Sequence, residues 1–184
     1  MSMRGPLAFV TLSVLCGCAA GIGPQGGYLV QHGPDIKSAG VKATALGDLA
    51  MMSGPALAGG IDAEVAQRVG PHQDAWGQWH LLTLVGFAHL PRPNECMVGY
   101  EALLTPGIAR TYAGNRPVFG WAMGTQLGLP LRLSASQPPW RTDDLVALDY
   151  YLVPSVSATW FGDRSVAVSA ALTLQVAFWS TLAP

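Results

Sequence analysis

Residues 121–133 read WAMGTQLGLPLRL. Taken alternately, they sort into Trp121, Met123, Thr125, Leu127, Leu129, Leu131 and Leu133 on one side. Ala122, Gly124, Gln126, Gly128, Pro130 and Arg132 fall on the other. Successive side chains of a strand point to opposite faces, whereas a helix groups residues three and four apart. The stretch therefore reads as a strand with one large apolar face and one small or polar face. Its glycines also weigh against helix.

The same alternation recurs downstream. Val166, Val168, Ala170, Leu172, Leu174, Val176 and Phe178 oppose Ala167, Ser169, Ala171, Thr173 and Gln175. Val156, Ala158 and Trp160 oppose Ser155, Ser157 and Thr159. Apolar segments run approximately over Val41–Met52, Ala56–Val69, Gln78–His89, Met97–Tyr112, Val118–Ala135, Leu145–Phe161 and Ser165–Ser180. Breakers such as Ser53-Gly54-Pro55, Gly70-Pro71, Pro91-Arg92-Pro93 and Gly162-Asp163 separate them. Val41–Met52 fits least well and could equally be a short helix. The pattern predicts an all-β chain: an antiparallel meander of seven or eight strands, closed as a small barrel or packed as a β-sandwich. Pro106, Pro130 and Pro154 stand at equal intervals inside apolar segments. Proline in a strand marks an edge, an end or a bulge, and the spacing could reflect a repeated hairpin unit.

The chain has 184 residues, ten basic against eleven acidic, and no basic run, so nothing points to nucleic acid. Only 11% of residues are charged, against about 25% in an average protein. That deficit favours a protein that meets lipid or a partner over a free soluble domain.

The N-terminus begins with Arg4 and continues into an uncharged run from Leu7 to Leu15. As a helix this run covers roughly 14 Å, about half a bilayer core, so it has the proportions of a signal peptide rather than a membrane span. Leu15-Cys16-Gly17-Cys18 resembles the lipobox of bacterial lipoproteins, with Cys16 a departure at the second small position. The resemblance implies a leader over residues 1–17 and lipidation of Cys18 by diacylglycerol and a further acyl chain, enough for stable anchoring. It implies membrane lipid as the first partner, and Ala19 after the cysteine points to the outer membrane. Residues 18–40, rich in Gly and Pro, then read as a lipidated tether, and 41–184 as a single β-rich domain. After processing only Cys96 remains, so the fold does not depend on an internal disulfide.

Two placements of the domain stay open. Small outer-membrane barrels carry apolar residues outside, small or polar ones inside, and aromatics at both interfaces. The faces above match, and Trp76, Trp79, Trp121, Trp140, Trp160, Phe161, Phe178 and Trp179 lie near segment ends. Against this, the turns do not alternate cleanly between short and long, the chain finishes on Leu182-Ala183-Pro184, and a spanning barrel has little need of an acyl anchor. A periplasmic barrel with its large residues inward fits the same periodicity.

Catalytic signatures are missing from the sequence. His32, His72, His80 and His89 show no HExxH or other metal-ligand spacing. Asp62 and Glu64 share a strand face and Asp143–Asp144 a loop, without an identifiable acid/base partner. No G-x-S-x-G elbow or phosphate loop occurs. The expectation is a non-enzyme with no cofactor, no metal and no catalytic residues. Its role is then a structural or accessory envelope lipoprotein, docking on an envelope protein or a second copy. A small barrel holding an apolar ligand is the alternative.

Overall fold

The computed structural model describes residues 17–30, 36–48, 56–69, 76–91, 97–113, 116–133 and 146–180. The strands are β1 (Gly17–Val30), β2 (Ile36–Asp48), β3 (Ala56–Arg68), β4 (Trp76–His89), β5 (Tyr100–Leu104), β6 (Gly107–Ala113), β7 (Arg116–Gly128), β8 (Leu131–Arg132), β9 (Val146–Phe161) and β10 (Val166–Ser180). All pairings between them are antiparallel.

Proline explains why ten segments make eight barrel strands. Leu104 lies opposite Val85 and Gly107 opposite Leu82, so the register on β4 is the same on both sides of Pro106. Pro106 only lacks the N–H that would continue the ladder. Its carbonyl still accepts from the Thr83 amide at 2.8 Å and the Thr83 hydroxyl at 2.7 Å. Pro130 parts β7 from β8 in the same manner, with Gly128 opposite Ser155 and Leu131 opposite Leu152. Pro154 sits within β9 opposite Leu172. These prolines are therefore gaps in continuous strands rather than bulges.

β1 pairs with both β2 and β10, which closes the sheet. The predicted meander is thus an eight-stranded closed barrel, not a sandwich. Val41–Asp48 belongs to β2, so the helical option for that stretch is excluded there.

The Gly/Pro-rich tether is overturned: Gly17–Val30 is β1, and β2 already begins at Ile36. Its composition serves closure instead. A Cβ on Gly23 would fall 2.7 Å from Thr173 Cα, so only glycine lets β1 approach β10 at that point. Pro24 follows, where pairing to β10 lapses while pairing to β2 continues opposite Val41.

Strand ends set the lengths of the connections. At one end of the barrel they span 31–35, 69–75, 114–115 and 162–165, and at the end that carries β1's start and β10's finish they span 49–55, 90–99 and 133–145. The first set is the shorter on the whole, but 69–75 and 49–55 are equally long, so short and long do not alternate cleanly.

The large apolar faces look outward. Ile22, Val41, Ile61, Val65, Val85, Leu104, Trp121, Met123, Leu127, Val156 and Leu174 are all exposed. Near the short-turn end Tyr28, Phe119, Trp121 and Trp160 are exposed, with Trp79 against Phe119 at 6.4 Å between ring centroids. Phe87, Tyr100 and Tyr150 do the same at the opposite end. From Trp79 to Phe87 along a tilted β4 is about 20 Å, close to the height of an outer-membrane apolar band. Phe161 departs from the expected girdle and is buried in the interior with Leu29, Ala66, Leu82, Ala109 and Ala122. Trp140, like Cys96, His32, His72 and Asp143–Asp144, lies outside the described residues.

Candidate functional site in the barrel interior

Period two sends the polar face of each strand inward, and eight strands enclose just enough room for side chains to fill. Apolar clusters close the interior towards both ends. One is the Phe161 group. The others are Leu46, Ala58, Leu84, Ala88 and Leu103, and Ala19, Tyr151, Val153 and Ala177. Tyr151 is fully buried and donates its hydroxyl to the Pro91 carbonyl at 2.8 Å. Arg132 pairs with Asp149, its Nε and Nη2 donating to Oδ1 at 3.1 and 2.9 Å.

Along β3, between Ala58 and Ala66, Asp62 and Glu64 both face inward and are buried. Register sets their neighbours. Lys42 on β2 and His80 on β4 flank Glu64, and Thr44 stands opposite Asp62. Lys42 Nζ lies 3.3 Å from Asp62 Oδ2 and donates to Gln126 Oε1 on β7 at 2.6 Å. His80 Nε2 lies 2.8 Å from Glu64 Oε2 and 4.0 Å from Asp62 Oδ2. Gln78 Nε2 is 3.5 Å from His80 Nδ1. Glu101 on β5 is 2% exposed and 3.4 Å from Gln175 Nε2. Buried charges are tolerated when paired or when they hold an ion, and here β2, β3, β4, β5, β7 and β10 all contribute to the group.

The Asp62–Glu64 face was readable from alternation. Lys42, His80, Glu101 and Gln126 were not singled out as their company. Each is an inward polar residue in an otherwise apolar strand, and that signal marks lumen positions once closure is known. Histidine spacing along the chain carried no such signal, because His80 meets its carboxylates across a strand pair. Cys18 is the second residue of β1, its backbone opposite Gly47 and Phe178.

No protein-family model and no curated protein sequence matches this chain. Solved structures do. Ail, the attachment invasion locus protein of Yersinia pestis, in complex with the heparin analogue sucrose octasulfate, has a TM-score of 0.59 at 10% identity, over 88% of this chain and 98% of that one. Ail without that analogue has a TM-score of 0.54 at 12% identity, over 89% and 99%. Neisserial surface protein A has a TM-score of 0.57 at 11% identity, over 87% and 95%. At these identities the likeness is one of fold: this chain is similar to both in being an eight-stranded antiparallel barrel.

Proposed function

We propose that this protein is an integral outer-membrane barrel with a structural or accessory, non-catalytic role in the bacterial envelope. One observation carries the reading: an extended belt of large apolar side chains faces out, while the buried polar and charged ones face in. In water that arrangement would leave an exposed apolar belt far larger than soluble monomers tolerate. In a bilayer it is the required one. The structural neighbours are outer-membrane barrels, which supports the location.

The alternative of a barrel holding an apolar ligand is disfavoured, because the buried lining includes Gln25, Lys42, Asp62, Gln78, His80, Gln126 and Gln175. The heparin-analogue complex belongs to Ail.

Lipidation of Cys18 is the second part of the proposal and rests on Leu15-Cys16-Gly17-Cys18. An acyl chain beside a spanning barrel would add to a membrane attachment that the strands already provide.

Fractionation of a double-membraned host tests both parts. The expected protein sediments with outer membranes, resists carbonate extraction and migrates differently on gels before and after boiling. Its intact mass equals residues 18–184 plus acyl-glyceryl groups, and this addition is lost in Cys18→Ala. Recovery as a soluble periplasmic protein would sink the membrane reading. An unlipidated membrane-bound chain would remove only the anchor.

A further inference from the structure

We propose that Asp62, Glu64 and His80 bind one divalent transition-metal ion inside the barrel. Their donor atoms lie within 4.8 Å of one another. Donors around a zinc-type ion sit about 2.1 Å from it and hence up to ~4.2 Å apart, so small side-chain rotations close the set. One imidazole and two carboxylates suit zinc, manganese or iron better than calcium or magnesium, which take oxygen alone.

Unpartnered atoms point to the ion independently of the cluster's composition. His80 Nε2 and Glu64 Oε2 already meet at 2.8 Å. Asp62 Oδ1 beside them has no hydrogen-bond partner, in a residue 1% exposed. Nor do Thr44 Oγ1, opposite Asp62, and Gln25 Oε1 have one, both on buried side chains. Buried oxygens left without a donor are destabilising, and a cation is what a nitrogen lone pair and several such oxygens can share.

Charge agrees. The polar belt holds the carboxylates of Asp62, Glu64 and Glu101 against one ammonium, Lys42. Three carboxylates around one ammonium are an excess of acidic groups that a divalent cation would offset. Asp62 Oδ2 faces both Lys42, at 3.3 Å, and His80 Nε2, at 4.0 Å, while its Oδ1 has no hydrogen-bond partner. Amide O and N are interchangeable by a flip. Turned over, the Gln78 carbonyl oxygen accepts from His80 Nδ1–H, which leaves His80 Nε2 as the ligating nitrogen, the outer support a metal-bound histidine usually has. The apolar clusters at both ends mean that the ion enters during folding and exchanges slowly afterwards.

The test refolds the full chain from urea into detergent micelles with EDTA, or with one equivalent of zinc or cobalt(II), followed by desalting. Expected are one retained ion per chain, visible cobalt d–d bands and a higher unfolding midpoint with zinc. Glu64→Gln and His80→Asn lose the ion, Gln78→Leu weakens its retention about 10–100-fold, and Asp149→Asn keeps it. The combined variant His32→Asn, His72→Asn, His89→Asn leaves only His80 and must also retain the ion, so the result stands even if the site variants do not fold. A metal-free wild-type chain with an unchanged midpoint overturns the proposal, as does loss of the ion in the combined variant.

Discussion

Lys42 shows what a single buried side chain does here. It is 2% exposed, and its ammonium is held by Asp62 on β3 and by Gln126 on β7, the latter 84 residues from Lys42 in sequence. Removing one partner of a buried ion pair strands the other in a low dielectric, typically at about 3–5 kcal/mol. Lys42→Met keeps most of the stem's volume and removes only the charge. It is expected to lower stability by that amount in urea unfolding from micelles, and a loss under ~1 kcal/mol would refute the pairing. At this scale the sequence was half legible. Asp62 and Glu64 could be assigned to one face because alternation is local. Their meeting with Lys42 and His80 depends on strand register, which is set between segments that no local pattern connects.

At the scale of the element, β10 was readable almost to the residue and the β7–β8 strand to within three residues at either end, because their outward faces are apolar at almost every second position. β1 was missed for a physical reason. Its inward residues include Gly21, Gly23 and Gly27, which pack against β10, and its outward face includes Pro24, so closure produces the composition of a linker. On the proposed membrane reading, the outward apolar wall makes a depth-dependent prediction. Leu127 and Val156 face each other across β7 and β9, outward and exposed. Leu127→Arg near mid-height is expected to destabilise the barrel by about 2–4 kcal/mol, and Val30→Arg at the rim by ~0–1. Reversible folding into lipid vesicles measures both. Equal penalties would argue against a bilayer around this wall.

For the molecule as a whole, barrel number and packing decide transport. Eight strands leave a lumen that side chains fill. In this one Phe161, Leu29 and Leu82 occupy one end, and Leu46, Leu84, Leu103 and Tyr151 the other. Reconstituted in planar bilayers, the protein is expected to show no ion conductance above background. Stepwise channels would mean that these clusters part. Sequence could suggest the barrel but not the plugged interior, since Leu29 and Phe161 lie on faces that the linear pattern gave to a tether and an aromatic girdle.

The seam between β1 and β10 sets an order in time. Cys18 meets Phe178 and Val30 meets Val166, so the first strand waits for the last before its edge is satisfied. Bringing such distant segments together is slow and entropically unfavourable. Until it happens, an open sheet would present unpaired amides, Lys42, Asp62 and Glu64 to hydrocarbon, which has nothing to offer them. On the proposed outer-membrane reading, curling and crossing then go together, and a polypeptide arrested before Val166 is expected to stay outside the membrane with its charges in water.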